Sequence, residues 1–343
     1  ISASGANINA SSAFYGGLGN DTIYSTGLWG GTVFGDTSSS DTAGGADSLS
    51  FGSVSSATLF GAAGADTLSI TSATGAYIDA GEGANLITGA GAYFSSTILG
   101  GSSADTLSFG AGGFSSVTLS AGAGNDSLAI AGAVSASTIA SGTGADTILF
   151  GGVVNGSTIY GSTDGADLIT GAAATISASS LYGGAGNDTF GFVGATGGVI
   201  SLGAGADTFY FGGSVSGASV VGGTGNDSIF FSAQGTAAAF GAGSNTAINA
   251  VMNNTYFFGS GDGNDTIVFN NTLAGIVVAV DSSLGATSSF VFTSNSNATV
   301  SFGSGGSITF INATGVQGAS NTNIGISNIT FTTVSSSAIT ALG

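Results

Sequence analysis

Gly222-Gly223-Thr224-Gly225-Asn226-Asp227-Ser228-Ile229-Phe230-Phe231 is the stretch that decides the fold. It reads as a glycine-rich turn that closes on an aspartate and passes straight into a β-strand. The phrase returns as Gly183-Gly184-Ala185-Gly186-Asn187-Asp188-Thr189-Phe190 and as Gly16-Gly17-Leu18-Gly19-Asn20-Asp21-Thr22-Ile23. Looser copies close on Asp47, Asp66, Asp105, Asp126, Asp146, Asp167, Asp207 and Asp265, and two more carry asparagine instead, at Asn85 and Asn245. Successive copies lie 26, 19, 19, 20, 21, 20, 21, 21, 19, 20, 18 and 20 residues apart. A fixed period of this length is the signature of a solenoid.

Counting from the aspartate locates the strands. Two residues on lie Ile23, Leu49, Leu68, Leu107, Leu128, Ile148 and their counterparts, and four on lie Phe51, Ile70, Phe109, Ile130, Phe150, Phe192 and Phe211. Thr and Ser fill the positions between, so the alternation has period two and one face is buried. Seven residues before the repeat residue runs a second apolar column: Phe14, Leu59, Ile78, Ile98, Leu119, Ile139, Leu181, Ile200, Val220 and Phe258. Each unit is then strand, aspartate turn, strand, and a Ser/Ala/Gly turn such as Ala131–Ala136. Neither strand buries its face alone. Coiling stacks equivalent strands at about 4.8 Å and brings each column into a shared bore. The expected fold is all-β, a parallel β-solenoid of about thirteen coils over residues 16–270. Residues 1–15 are expected to form an N-terminal arm or cap. Residues 271–343 are read as a C-terminal β cap or assembly module, with strands at Ser289–Thr293, Ala298–Phe302, Ser307–Asn312 and Ile326–Thr333. The long first interval is expected to loop out Leu28–Gly35 and Asp36–Asp41.

Composition narrows the chemistry. Of 343 residues, 64 are Gly, and Lys, Arg, His, Pro and Cys are all absent. Without proline or a Gly-X-Y period this is not collagen. An apolar content of 42% in regular columns argues for a core over disorder. The net charge of −18 would repel nucleic acid and anionic membrane surfaces. No apolar run approaches the length of a membrane span, and with Ile first the chain reads as a mature or trimmed form. Without His, Cys, Lys or Arg there is no common general base, thiol nucleophile or phosphate clamp, so an enzyme is disfavoured.

Eleven aspartates occupy the repeat position: Asp21, Asp47, Asp66, Asp105, Asp126, Asp146, Asp167, Asp188, Asp207, Asp227 and Asp265. Stacked about 5 Å apart, neighbouring charges repel by roughly 0.8 kcal/mol in water and by several times that in a less polarisable setting. No cationic side chain is present to intervene, so a metal cation is expected. Calcium fits, since it takes six to eight oxygens and accepts backbone carbonyls, while glycines let the turn aim its carbonyls inward. Zinc or copper would want His or Cys. Turn chemistry alone favours Asn, Asp and Gly here, but it does not call for aspartate so often. Asp79 and Glu82, beside Asn85, are either solvated surface acids or a repair of that site.

The phrases GGTGNDSIF at Gly222–Phe230 and GGAGNDTFG at Gly183–Gly191 resemble the GGxGxDxUx repeat of the calcium-binding RTX β-roll of secreted bacterial proteins. The resemblance covers about residues 16–270. It implies a right-handed parallel β-roll, Ca2+ between neighbouring turns, secretion, and folding where calcium is plentiful. The motif occurs once per coil here, where the family places it at both edges. Metal is therefore expected along one edge, with the Ser/Ala/Gly turn free of it and Asn85 and Asn245 marking weaker sites or none. The functional expectation is an extracellular structural protein, a subunit of a surface layer, sheath or filament that self-associates through its ends. The alternative is the shaft or ligand-binding module of a secreted adhesin, with cell-surface polysaccharide, another sugar or ice as ligand. Resemblance to one-edged RTX rolls of ice-binding adhesins would need a regular Thr-x-Asn array. Thr224-Gly225-Asn226 fits it, but Ala63-Gly64-Ala65 and Ala204-Gly205-Ala206 break it.

Overall fold

The period-two alternation becomes strands that stack in register, coil upon coil. The computed structural model describes residues 2–9, 13–40, 42–213, 215–231, 237–250, 255–258, 262–269, 276–281, 287–294, 297–302, 306–311 and 329–334. Every regular element among them is a β-strand. The chain divides into two units, Ile1–Ala174 and Thr175–Gly343. Each is a parallel β-solenoid, and together they hold about 12 turns against the thirteen or so expected.

In the first unit the column after the aspartate runs Ile23, Leu49, Leu68, Ile87, Leu107, Leu128, Ile148, Ile169, each paired with the next in parallel. All are buried. In the second unit it runs Phe190, Phe209, Ile229, Ala247, Ile267. The opposing sheet of the first unit stacks Phe14, Val33, Leu59, Ile78, Ile98, Leu119, Ile139 and Ile159. The two inward faces meet as the bore. Large apolar side chains close it with little exposed area, each contributing about 1.5–3 kcal/mol when fully buried.

Three expectations need correction. First, Val134–Ser135 is a short strand, not part of a turn, and it pairs with Phe114–Ser115 and Val154–Asn155. It belongs to a third inward column: Ile8, Leu28, Val54, Ala73, Tyr93, Phe114, Val134, Val154. The turn proper is the corner at Ala136, with φ of 47°. Second, Leu28–Gly35 does not loop out. Thr22–Trp29 and Thr32–Phe34 are strands in register with the next coil, and Leu28 and Val33 are fully buried. The extra residues sit within the aspartate turn between Asp36 and Gly44 (Asp41 lies outside the described residues). Third, Tyr256, not Phe258, continues the Val220 column through Ala238. Phe258 is buried two positions further on, paired with Val280.

Toward the C-terminus, Asn264–Phe269 pairs in parallel with Ser307–Ile311, which pairs antiparallel with Asn297–Phe302 and through it with Thr287–Ser294. Ile329–Val334 stacks in parallel on Ile276–Asp281. Residues 312–328 and 335–343 of the expected cap lie outside the described residues.

Candidate metal centre

The aspartate turn begins with backbone that only glycine adopts easily. Gly122 and Gly124 have φ of 116° and 130°, and Gly142 and Gly144 both have 118°. A Cβ on Gly122 would collide with the carbonyl oxygen of Gly101 one coil away, and one on Gly144 with that of Gly124. The glycines thus serve two needs, positive φ and coils close enough for turn carbonyls to stack.

Two side-chain ladders stitch these turns together. The aspartate reaches back: its Oδ1 accepts the repeat-position N–H of the preceding coil. Asp21 N–H donates to Asp47 (2.8 Å), Asp47 to Asp66 (2.7 Å), Asp105 to Asp126 (2.7 Å), Asp126 to Asp146 (2.7 Å) and Asp146 to Asp167 (2.8 Å). In the second unit Asp188 N–H donates to Asp207 (2.7 Å) and Asp207 to Asp227 (2.9 Å). Asparagine maintains the chain of bonds, from Asp66 to Asn85 to Asp105 and from Asp227 to Asn245 to Asp265. The residue before the aspartate reaches forward. Asn20, Asn125, Asn187 and Asn226 each accept an N–H of the following coil, from Ala46, Ala145, Ala206 and Ser244. The Gly-Asn-Asp phrase therefore carries one acceptor for each neighbour. The role of its asparagine was not read from the sequence, although its position beside the aspartate pointed to it.

All the candidate aspartates from Asp47 to Asp265 are buried, and Asp21 is half-buried. Their second oxygens set the chemistry. Among the described residues, Oδ2 of Asp47, Asp66, Asp105, Asp126, Asp146, Asp207, Asp227 and Asp265 is buried and has no hydrogen-bond partner. At Gly61, Gly100 and Gly222 the space that a Cβ would fill is bounded by this Oδ2, from Asp66, Asp105 or Asp227. It is also bounded by a carbonyl oxygen of the next coil, from Ala80, Ala121 or Phe240. Two acceptors face one space with no donor, which is costly in a buried setting. Asp167 differs: the turn Thr163-Asp164-Gly165 directs the Ser162 N–H onto its Oδ2 at 2.5 Å.

The opposite edge solves the same problem with a neutral group. Ser137 Oγ accepts the Val117 N–H at 3.0 Å and donates to its own Ser135 carbonyl at 2.8 Å. Ser96 and Ser157 do the same, accepting from Ala76 and Ser137 and donating to Phe94 and Asn155. A hydroxyl both accepts and donates, so Ser96, Ser137 and Ser157 are satisfied without a cation, while Ala57, Ala76 and Val117 hold the same position in other coils with no polar side chain; an ionised carboxylate only accepts.

Burial is the largest influence on these carboxyls. It pushes Asp47, Asp126, Asp207 and Asp227 up to about 6, Asp66 and Asp105 to about 7, and Asp265 to about 8, against the pull of the ladder N–H bonds. Neighbouring carboxylates add to the rise, Asp36 and Asp21 at Asp47 and Asp146 at Asp126. Such a row stabilises a proton or a hard cation at each Oδ2.

A family model for the RTX calcium-binding nonapeptide repeat matches in four copies, over residues 13–27 and 162–191. The chain carries RTX calcium-binding repeats. Among curated proteins none matches it. The RTX repeat binds Ca2+, and the residues present suit that ion: buried carboxylate oxygens without donors, backbone carbonyls beside them, and no nitrogen or sulfur ligand. Among the described residues no three acidic side chains converge on a point, so carbonyls must supply much of any coordination shell.

Asp79 accepts the Tyr77 hydroxyl at 3.3 Å, and Glu82 is exposed, tied in by its backbone to Ala63 and Ser102. The sequence reading missed Asp36. It is fully buried at the start of the inserted segment and accepts the N–H groups of Gly45 (3.2 Å) and Ala63 (3.0 Å).

Proposed function

We propose that this RTX β-roll is an extracellular structural protein whose aspartate edge takes up calcium and whose ends mediate self-association into a layer or filament. The ligands in this reading are the repeat aspartates, foremost Asp66, Asp105 and Asp227, where Oδ2 and a carbonyl of the next coil crowd the same side of a glycine. Asp167 is the weakest of them, since its Oδ2 already holds an N–H. The observation that carries the calcium reading is the contrast between the two edges: Ser96, Ser137 and Ser157 are satisfied by accepting and donating at once, and aspartate leaves an acceptor facing an acceptor. The structural reading is supported by the uniform coils and by the absence of basic, thiol and imidazole groups from the sequence. Among the described residues no helix is long and apolar enough to cross a membrane.

The test is far-UV circular dichroism of metal-stripped protein titrated with calcium and with magnesium. A melting midpoint, read by the same dichroism, that rises at lower calcium than magnesium concentration is expected; an identical melting curve after thorough stripping overturns the calcium reading.

A ligand-binding face is the second reading. Thr106, Ser127 and Thr147 align coil to coil on the outer face of the first unit, but Leu86 and Leu168 stand exposed in the same column. Thr189, Thr208, Ser228, Thr246 and Thr266 align similarly in the second. The two leucines interrupt the first unit's column, and that favours the scaffold over a patterned ligand array there; the second unit's column runs unbroken over these five coils.

A further inference from the structure

We infer that Asn85 and Asn245 take the place of the cation in their own turns, making those coils calcium-independent points of register. The inference rests on the calcium reading above.

Both asparagines keep the ladder intact. Asn85 Oδ1 accepts the Asp66 N–H at 2.8 Å, and Asn245 Oδ1 accepts that of Asp227 at 2.8 Å. With Oδ1 engaged by a donor, the other terminal atom is the amide nitrogen, at the place Oδ2 holds in an aspartate coil. Asn85 Nδ2 lies 3.4 Å from the Gly81 carbonyl oxygen of its own turn and 3.3 Å from that of Gly100 in the next coil. Asn245 Nδ2 donates to the equivalent Gly241 carbonyl at 3.1 Å. The Gly100 carbonyl, which stands where Ala80, Ala121 and Phe240 confront Oδ2 in aspartate coils, thus meets a donor at Asn85, and in both asparagine turns the amide also serves a carbonyl of its own turn. The substitution exchanges one atom, Oδ2 for NH2, and turns an acceptor-acceptor clash into a hydrogen bond.

Filling of the turn is not what separates the two kinds of coil. Ala80 and Phe240 are buried in the asparagine turns, but Ala121 and Leu202 are buried beside Asp126 and Asp207 in the same way. The donor is the difference. Each asparagine coil also interrupts a row of carboxylates, Asn85 between Asp66 and Asp105 and Asn245 between Asp227 and Asp265. Neighbouring charges are one coil further apart there, and their repulsion falls accordingly.

The experiment uses the full chain and exchanges the one atom in both directions, with Asn85→Asp and Asp105→Asn. Two quantities are read: calcium bound per chain, by equilibrium dialysis and atomic emission, and the melting midpoint in excess chelator near pH 8. Asn85→Asp is expected to raise the calcium count and lower the chelator midpoint. Asp105→Asn is expected to lower the count and raise that midpoint, which a merely disruptive change would not do. If wild type binds calcium but the two midpoints stay put or move in the same direction, this inference falls alone. If wild type binds no calcium, the calcium reading falls and takes this inference with it.

Discussion

An aspartate whose Oδ2 faces a carbonyl is stabilised by a proton or by a cation, and pH decides between them. Burial holds seven of these carboxyls at about 6 to 8, above their ordinary 3.8. Without calcium, the folded chain therefore keeps protons that the unfolded chain releases. Because the folded value is the higher one, this contribution is full below 3.8 and is lost as pH rises through about 6 to 8. Calcium-free protein is expected to melt at a higher temperature at pH 5 than at pH 8.5, as read by calorimetry. Saturating calcium should abolish that gap, since cation replaces proton. A calcium-free midpoint that climbs with pH contradicts the picture. The serine edge supplies the control. Ser137→Ala leaves the Val117 N–H without its acceptor and should cost about 1–3 kcal/mol in urea unfolding. The same loss is expected with calcium and with chelator, because no cation acts there; a loss confined to calcium would place metal at the wrong edge.

At the level of strands, regular counting found most of the core and failed where the spacing drifts. The columns two after and seven before the aspartate stand at fixed distances, so periodicity exposes them. The third column does not: Val54 lies seven residues after Asp47, Tyr93 eight after Asn85, and Phe114 nine after Asp105. Corner geometry absorbs the difference, with Gly113 at φ 75° in the longest case. Val33 and Ile159 escaped the count for the same reason, since their aspartate turns carry extra residues. The aspartate edge was legible as a list of residues, but not the division of labour between Oδ1 and Oδ2, which depends on how far apart the coils stand. Gly89 and Tyr93 show compensation between columns. Gly89 stands where Phe109 and its counterparts fill the bore, and the Tyr93 ring enters that space, its hydroxyl donating to the Ile70 carbonyl at 2.5 Å. Tyr93→Phe should cost about 1 kcal/mol for the lost bond, whereas Gly89→Leu should cost more, because its side chain and the ring need one volume. If Gly89→Leu melts like wild type, the ring is not seated there. Phe192, buried between strands of the second unit, tests the bore directly. Phe192→Asp should lose several kcal/mol, and a parental melting curve would refute the register.

For the molecule as a whole, the −18 charge has no internal counterweight. Copies repel one another at low ionic strength, and in the proposed reading calcium taken up along the aspartate edge would remove part of that barrier while ordering the coils. The parallel stacking in one sheet gives way to antiparallel pairing at Asn297–Phe302 and Thr287–Ser294. In the proposed reading, strand addition by a second copy would use this antiparallel part of the chain. Contact between unlike ends is heterologous and propagates into filaments unless the rotation closes a ring. The expectation is that calcium promotes assembly beyond what screening alone achieves. Light scattering should show the mass rising with protein concentration in calcium chloride, but less so in sodium chloride of matched ionic strength. Deleting residues 271–343 should abolish the rise while leaving calcium-dependent dichroism in place. Equal growth in both salts would make screening the cause, and a full chain that stays monomeric at high concentration in calcium would favour the adhesin module over the self-assembling scaffold.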